Sequence, residues 1–290
     1  TRAGSPVQAD SGDFPKCQQI ALGKIGYDDF PARQAVARAE GRYLGIGLAN
    51  SLKGTGRGPF ESGSVRVERS GKVRVFTGAL AMGQGLKTML AQVTSAQLGV
   101  PAELIDVTSG DTGTIALGHG GFASRQTVTA GSSVHGAAKE VRSKIINMAA
   151  HLMEAAEEDI ETGNGNVWVK GTDKSMTIRD LARALYSDMG RVPKEMRDEI
   201  DNLEATKVYD PFFGTTTAAT HMCLVEIDPE TYGTRVLKYI VAEDSGRIIN
   251  PLIADGLSHG GVAQGIGVAL MEEVIHDEAG QVLTASLADY

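Results

Sequence analysis

The sequence predicts an α+β protein, with mixed sheets and helices packed on them. Short runs of strand length, alternating or apolar, are interleaved with stretches of helical period. The connections mix tight hairpin turns with longer crossovers, which argues against a strict βαβ repeat. Glycine is concentrated in groups between the elements rather than spread as a repeat.

Taken in order, residues 1–40 read as a lead-in or linker, with helical composition over 30–40. Asp28 and Asp29 lie just ahead of that stretch and Pro31 suits a first helical turn. Residues 41–51 and 61–68 alternate or run apolar in short lengths, and 72–77 (KVRVFT) alternates cleanly. Ser70-Gly71 between the last two predicts a hairpin turn. Leu86, Met89, Leu90 and Val93 recur at a helical period within 85–98, and 104–107 predicts a short strand. The Ala-rich stretch 129–153 places Val134, Ala137, Ala138, Val141, Ile145 and Met148 on one helical face. A strand is expected over 166–170, then a helix from Thr177, a capping residue, to about Met189. Residues 196–209 are charged and read as exposed. Two more strands, 221–227 and 235–243, flank a turn-rich 228–234, and the later part of 256–273 reads as helical.

Composition excludes several function classes. The 290 residues carry a net charge of −8, which argues against the basic face that nucleic-acid binding needs. No window approaches 18 uninterrupted apolar residues, so no transmembrane helix is expected. The opening residues lack the apolar core of a signal peptide. Cys17 and Cys223 read as unpaired thiols, and a cytoplasmic location is expected. The histidines show no zincin spacing, so no metal ligand and no catalytic residue is assigned.

Chemistry is signalled by glycine. There are 36 glycines among 290 residues, against a usual share of about 7%. They group at 54–58, 83–85, 118–121, 163–165 and 256–267, where backbone turns sharply or approaches something closely. Met82-Gly83-Gln84-Gly85 lies between a strand and a helix, where main-chain N–H groups suit a polar or anionic ligand. Residues 118–126 (GHGGFASRQ) form a loop that can lie against a ligand and then present Ser124 and Arg125. Arg125 could equally pair with a local acid such as Asp111. Residues 260–267 (GGVAQGIG), opening a helix that ends near Glu273, resemble a dinucleotide fingerprint only superficially, since no βαβ unit surrounds them, and helix packing that needs small residues explains some of these glycines. Residues 54–61 (GTGRGPFE) lack the ending of a phosphate-binding P-loop and read as a strained loop or a strand connection.

In this order, the segments resemble the molybdopterin-binding subunit of the xanthine dehydrogenase and aldehyde oxidase family. The runs TGRGPFESGSVRVERSGKVRVFTGALAMGQGLKTMLAQV, GDTGTIALGHGGFASRQTVTAG and AEDSGRIINPLIADGLSHGGVAQGIGVALMEE carry the resemblance, which covers roughly 41–160 and 207–290. It implies a first cofactor-binding lobe at 41–160, a connecting segment at 161–206 and a second lobe at 207–290. It implies molybdopterin with molybdenum, in bacteria usually as the cytosine dinucleotide, and hydroxylation of a heterocycle or aldehyde with oxygen from water. Met82, Gly83, Gln84 and Gly85 would contact the pterin or its phosphates. Ala123 and Ser124 would lie by the dithiolene end, with Arg125 nearby. Gly131 and Ser132 would reach the dinucleotide, and Gln264 would hydrogen-bond the pterin.

The resemblance also implies partners: a 2Fe-2S subunit or domain, an FAD one, and an N-terminal half with a Gly-Gly-x-Phe-Gly loop. That half has no counterpart in these residues, and the family's catalytic Glu lies beyond the point matching Tyr290, so a fragment or a split subunit is expected. Ser245 and Leu257 stand where a Cys and a Gln are common. Two rival functions remain at this stage, a non-catalytic scaffold relative and a nucleotide-binding module unrelated to molybdenum.

Overall fold

The computed structural model describes residues 12–115, 117–188, 190–211 and 214–290. The expected end of a helix at Met189 lies outside them. In chain order the elements are α1 (Phe14–Ile25), α2 (Phe30–Ala39), β1 (Tyr43–Thr55), β2 (Glu61–Val67), β3 (Val73–Thr77), α3 (Leu86–Leu98), β4 (Ile105–Ser109) and α4 (Gln126–Met153). There follow β5 (Ile160–Gly163), β6 (Asn166–Val169), β7 (Ser175–Thr177), α5 (Ile178–Ser187), α6 (Lys194–Glu199), β8 (Glu204–Tyr209), β9 (Thr215–Ile227), β10 (Thr234–Asp244) and α7 (Pro251–Leu270). Mixed sheets with helices make this an α+β protein. It packs as two compact units, one of described residues 54–216 and one of 12–53 with 217–290.

The first unit is built on a four-stranded sheet in the order β4-β3-β2-β8. Strand β2 is antiparallel to β3 and β8, while β3 is parallel to β4 and joined to it through α3. Helix α4 packs on β2 and β8 and against α3. Its predicted face is the buried one: Val134, Ala137, Ala138, Val141, Ile145 and Met148 are all 0% exposed, as are Val65, Val67, Val73 and Val75 on the sheet. A fully buried Val, Ile or Met side chain stabilises by about 1.5–3 kcal/mol. Close approach of α4 requires Gly63, where an added Cβ would stand 2.8 Å from the Val134 backbone nitrogen.

Residues 196–209 are exposed only in part: 198, 199, 201 and 206–209 face solvent, as their charge suggested, and the rest do not. Strand β8 pairs with β2 along its length, and Ile200, Leu203 and Ala205 are buried. The charged residues between them take the solvent side, a division that net charge alone does not reveal. A second, antiparallel sheet, β5-β6-β7, leads into α5. There Thr177 caps as expected, its hydroxyl oxygen accepting from the Asp180 amide at 3.0 Å.

The second unit holds the sheet β1-β9-β10, with β9 and β10 antiparallel and α1 packed against β10. Its core is small: Ala21, Ile25, Phe30, Met222 and Leu224. The supposed lead-in therefore contains two helices that help to build this core. Helix α1 starts where the Asp13 carboxylate accepts from the Lys16 amide at 3.1 Å, with Pro15 in its first turn, and stops at left-handed Gly26. The reading of 256–273 is also corrected. Helix α7 starts earlier, at Pro251, capped by Asn250, and the glycines lie in its interior.

Candidate functional site

Topology brings three of the glycine-rich segments to one end of the four-stranded sheet. Gly63 pairs with Thr77 across the antiparallel β2–β3 ladder, so the start of β2 lies beside the end of β3. Thr77 also pairs with Ser109 in the parallel β3–β4 ladder, so β4 ends there too. Residues 56–60, 78–85, 110–115 and 117–125 therefore adjoin the sheet at the same end.

A buried ion pair ties the first and last of these together. Glu61 and Arg125 are both 0% exposed, with Arg125 Nη1 donating to Glu61 Oε2 at 3.1 Å. The expected alternative partner, Asp111, instead accepts from the Gly113 amide at 2.9 Å. Arg125 also donates to the carbonyls of Arg57, Pro59, Phe60 and Gly120, at 3.2, 2.5, 2.9 and 2.9 Å. Its guanidinium lies 4.9 Å from the Phe122 ring centroid. Glu61 Oε2 accepts from the amides of His119 and Gly120 at 3.2 and 3.3 Å, and Oε1 from the Ser62 amide at 3.2 Å. Removing one partner from such a pair costs about 3–5 kcal/mol, because the other charge is left buried and uncompensated. Above the carboxylate two backbones touch: a Cβ on Gly78 would stand 2.4 Å from the Cα of Gly118.

The second segment meets the last through glutamines. Gln84 Oε1 accepts from the Met82 amide at 2.6 Å, and Gln84 Nε2 donates to the Leu80 carbonyl at 3.0 Å and to Gln126 Oε1. Gln126 Nε2 donates to the same Leu80 carbonyl at 2.8 Å, and its side chain with Met82 leaves no room for a Cβ on Gly121. Gly83 and Gly85 have positive φ, as the tight turn requires. Ala123 and Ser124, both exposed, have φ of 49°, a conformation that costs a non-glycine residue about 1–3 kcal/mol. Helices α3 and α4 begin here, and neither has a side-chain cap on its N-terminus. Leu80, Met82, Leu117 and Phe122 are exposed around them.

Seven of the expected ligands therefore sit together: Met82, Gly83, Gln84, Gly85, Ala123, Ser124 and Arg125. Gly131 and Ser132 lie farther along α4. Gly131 is buried, and a Cβ there would stand 3.7 Å from Met89 Sδ of α3, an ordinary contact. Gln264 is an exposed residue of α7 in the other unit. Glu61 and Gln126 were missed as site residues. Strand alternation puts Glu61 on the same face as Gly63, Val65 and Val67, and an acid at a core-facing position demands a buried partner. That signal was available in the sequence.

An anionic ligand with some apolar surface suits this end of the sheet. Uncapped helix N-termini carry orphan amides and partial positive charge, and the apolar side chains supply contact area. The sequence matches the model of the molybdopterin cofactor-binding domain over residues 21–290.

The chain belongs to this family.

This molybdopterin cofactor-binding domain is 37% identical to the gamma subunit of the 6-hydroxypseudooxynicotine dehydrogenase complex of Paenarthrobacter nicotinovorans, over 98% of the chain and 35% of that relative. It is 33% identical to the carbon monoxide dehydrogenase large chain of Afipia carboxidovorans, over 97% of the chain and 36% of the relative. Among solved structures it is similar to quinoline 2-oxidoreductase from Pseudomonas putida 86, with a TM-score of 0.87 and 38% identity over 96% of this chain and 37% of that one. The domain thus spans about a third of the length of these relatives. Their named substrates are chemically diverse, so likeness to them selects none. Among the described residues no helix is long and apolar enough to cross a membrane.

Proposed function

We propose that the chain is the part of a molybdenum hydroxylase that grips molybdopterin, in its cytosine dinucleotide form, within an oxidoreductase complex. The observation that carries this reading is the meeting of residues 54–60, 78–85 and 118–126 at two uncapped helix N-termini, in a chain of this family. When bound, the group supplies the molybdenum centre at which a heterocycle or aldehyde is hydroxylated with oxygen from water. The chain's own residues bind and orient it. Met82, Gly83, Gln84 and Gly85 contact pterin or phosphate through the main chain of the turn, which the engaged Gln84 side chain braces, while Ala123 and Ser124 line the dithiolene end. Arg125 acts from behind the loop, since its donors are already engaged. Ser132, beside Gly131, reaches toward the dinucleotide.

For the second of two cofactor lobes, 41–160 and 207–290, Gln264 is the residue assigned to hydrogen-bond the pterin. Helix α7 supports this assignment: none of its residues is buried, and a Cβ on Gly256, Gly260, Gly261 or Gly265 would meet nothing within 4 Å. A helix that is apolar yet uncovered needs a partner surface, and we assign that cover to the cofactor and to the N-terminal half of such enzymes. Electrons leave through 2Fe-2S and FAD subunits or domains. Free Cys17 and Cys223 favour a reducing, cytoplasmic setting.

The native assembly, purified with its neighbours, should contain stoichiometric molybdenum and release CMP on acid treatment. An assembly free of molybdenum would point to a scaffold relative. Binding of free mononucleotides by a protein without pterin would point to a nucleotide module.

A further inference from the structure

We infer that Glu61 is a positioning residue for the 118–124 loop, holding from inside the amides that would otherwise capture an external anion. The inference rests on the reading of this loop as a cofactor contact. Successive main-chain N–H groups form concavities that bind anions. Here the His119 and Gly120 amides converge on one oxygen, Glu61 Oε2, at 3.2 and 3.3 Å. That oxygen also takes Arg125 Nη1, and Arg125 returns a bond to the Gly120 carbonyl. Both the N–H and the C=O of Gly120 are thereby committed inward.

The other donors of Arg125 hold the carbonyls of residues 57, 59 and 60, so one buried cation anchors two loops. Between the anchored Gly120 and the start of α4 at Gln126, the chain is left to display Gly121–Ser124, including left-handed Ala123 and Ser124. The donors this loop offers a ligand are therefore those of 121–124, and 119–120 are excluded. Loss of the carboxylate frees two amides and leaves the guanidinium unpaired, which re-aims the loop.

The test uses the native assembly and two readouts. In pterin-free protein, hydrogen exchange at His119 and Gly120 should be slow while 121–124 exchange fast, and loading with pterin should slow 121–124 alone. In Glu61→Gln, pterin retained per folded chain should fall about 10–100-fold, the range for residues that orient a ligand-holding group, at temperatures where circular dichroism shows native structure. Should that variant not fold, Glu61→Met with Arg125→Met removes both charges at similar volume and should fold yet lose pterin alike. Wild-type pterin content in either folded variant overturns the inference, as does fast exchange at 119–120 in the unmodified protein. Absence of pterin from the unmodified native assembly would instead overturn the proposed function, while slow exchange at 119–120 would still report the hold of Glu61.

Discussion

Arg125 shows how a residue's chemistry can be foreseen and its partner missed. A guanidinium cannot shed its charge on burial, so it must find an acid, and Glu61 lies 64 residues earlier on a neighbouring strand end. At the surface of the second unit, a different acid contributes to pH dependence. Glu226 accepts from Arg42 at 2.7 Å and from Arg235 at 2.9 Å, and the Arg42 hydrogen bond, more than Arg235, holds its carboxyl below the usual range. Asp228 is likewise lowered, by the amides of Thr231 and then Glu230. A carboxyl whose folded pKa lies below its unfolded one contributes stability above the unfolded value, about 4.3 for Glu, and that contribution is lost as pH falls through the folded pKa. Urea midpoints should therefore hold down to about pH 5 and then decline, with Glu226→Gln declining less over that acid limb. An unchanged limb in the variant would remove Glu226 from the account.

Among the elements, the long helix α4 was legible because its apolar positions recur at helical spacing and its buried face is that same set. Helix α5 was legible at its start for a local reason, the Thr177 hydroxyl over the Asp180 amide. Thr177→Ala should cost about 1 kcal/mol in urea unfolding with an unchanged slope, and a neutral outcome would show that the cap is redundant. Helix α7 was misread at its start because each glycine in a helix interior costs about 1 kcal/mol relative to alanine. Asn250 and Pro251 nevertheless start the helix ahead of them. Strand β8 was hidden by its charge, since an edge strand needs apolar residues on one face alone.

For the molecule as a whole, two separate clusters of buried side chains mark the two units. The smaller one leaves little redundancy. Met222 is 0% exposed between Ala21, Ile25, Phe30 and Leu224, so Met222→Ala should destabilise its unit by about 2–5 kcal/mol. Hydrogen exchange should then rise in β9, β10 and α1, and an unaffected α1 would show that this cluster does not stabilise the helix.

Residue order alone determined the α+β class, the long amphipathic helix, the β2–β3 hairpin and the family, because periodicity, turn chemistry and spaced glycine motifs are local properties written along the chain. Only the tertiary structure decided that Glu61 neutralises Arg125, that Gln126 joins Gln84 and that helices α1 and α2 help to build a core. Those outcomes depend on which segments the strand registers bring to the same sheet end, and register is settled by burial across the whole sheet instead of by any one stretch.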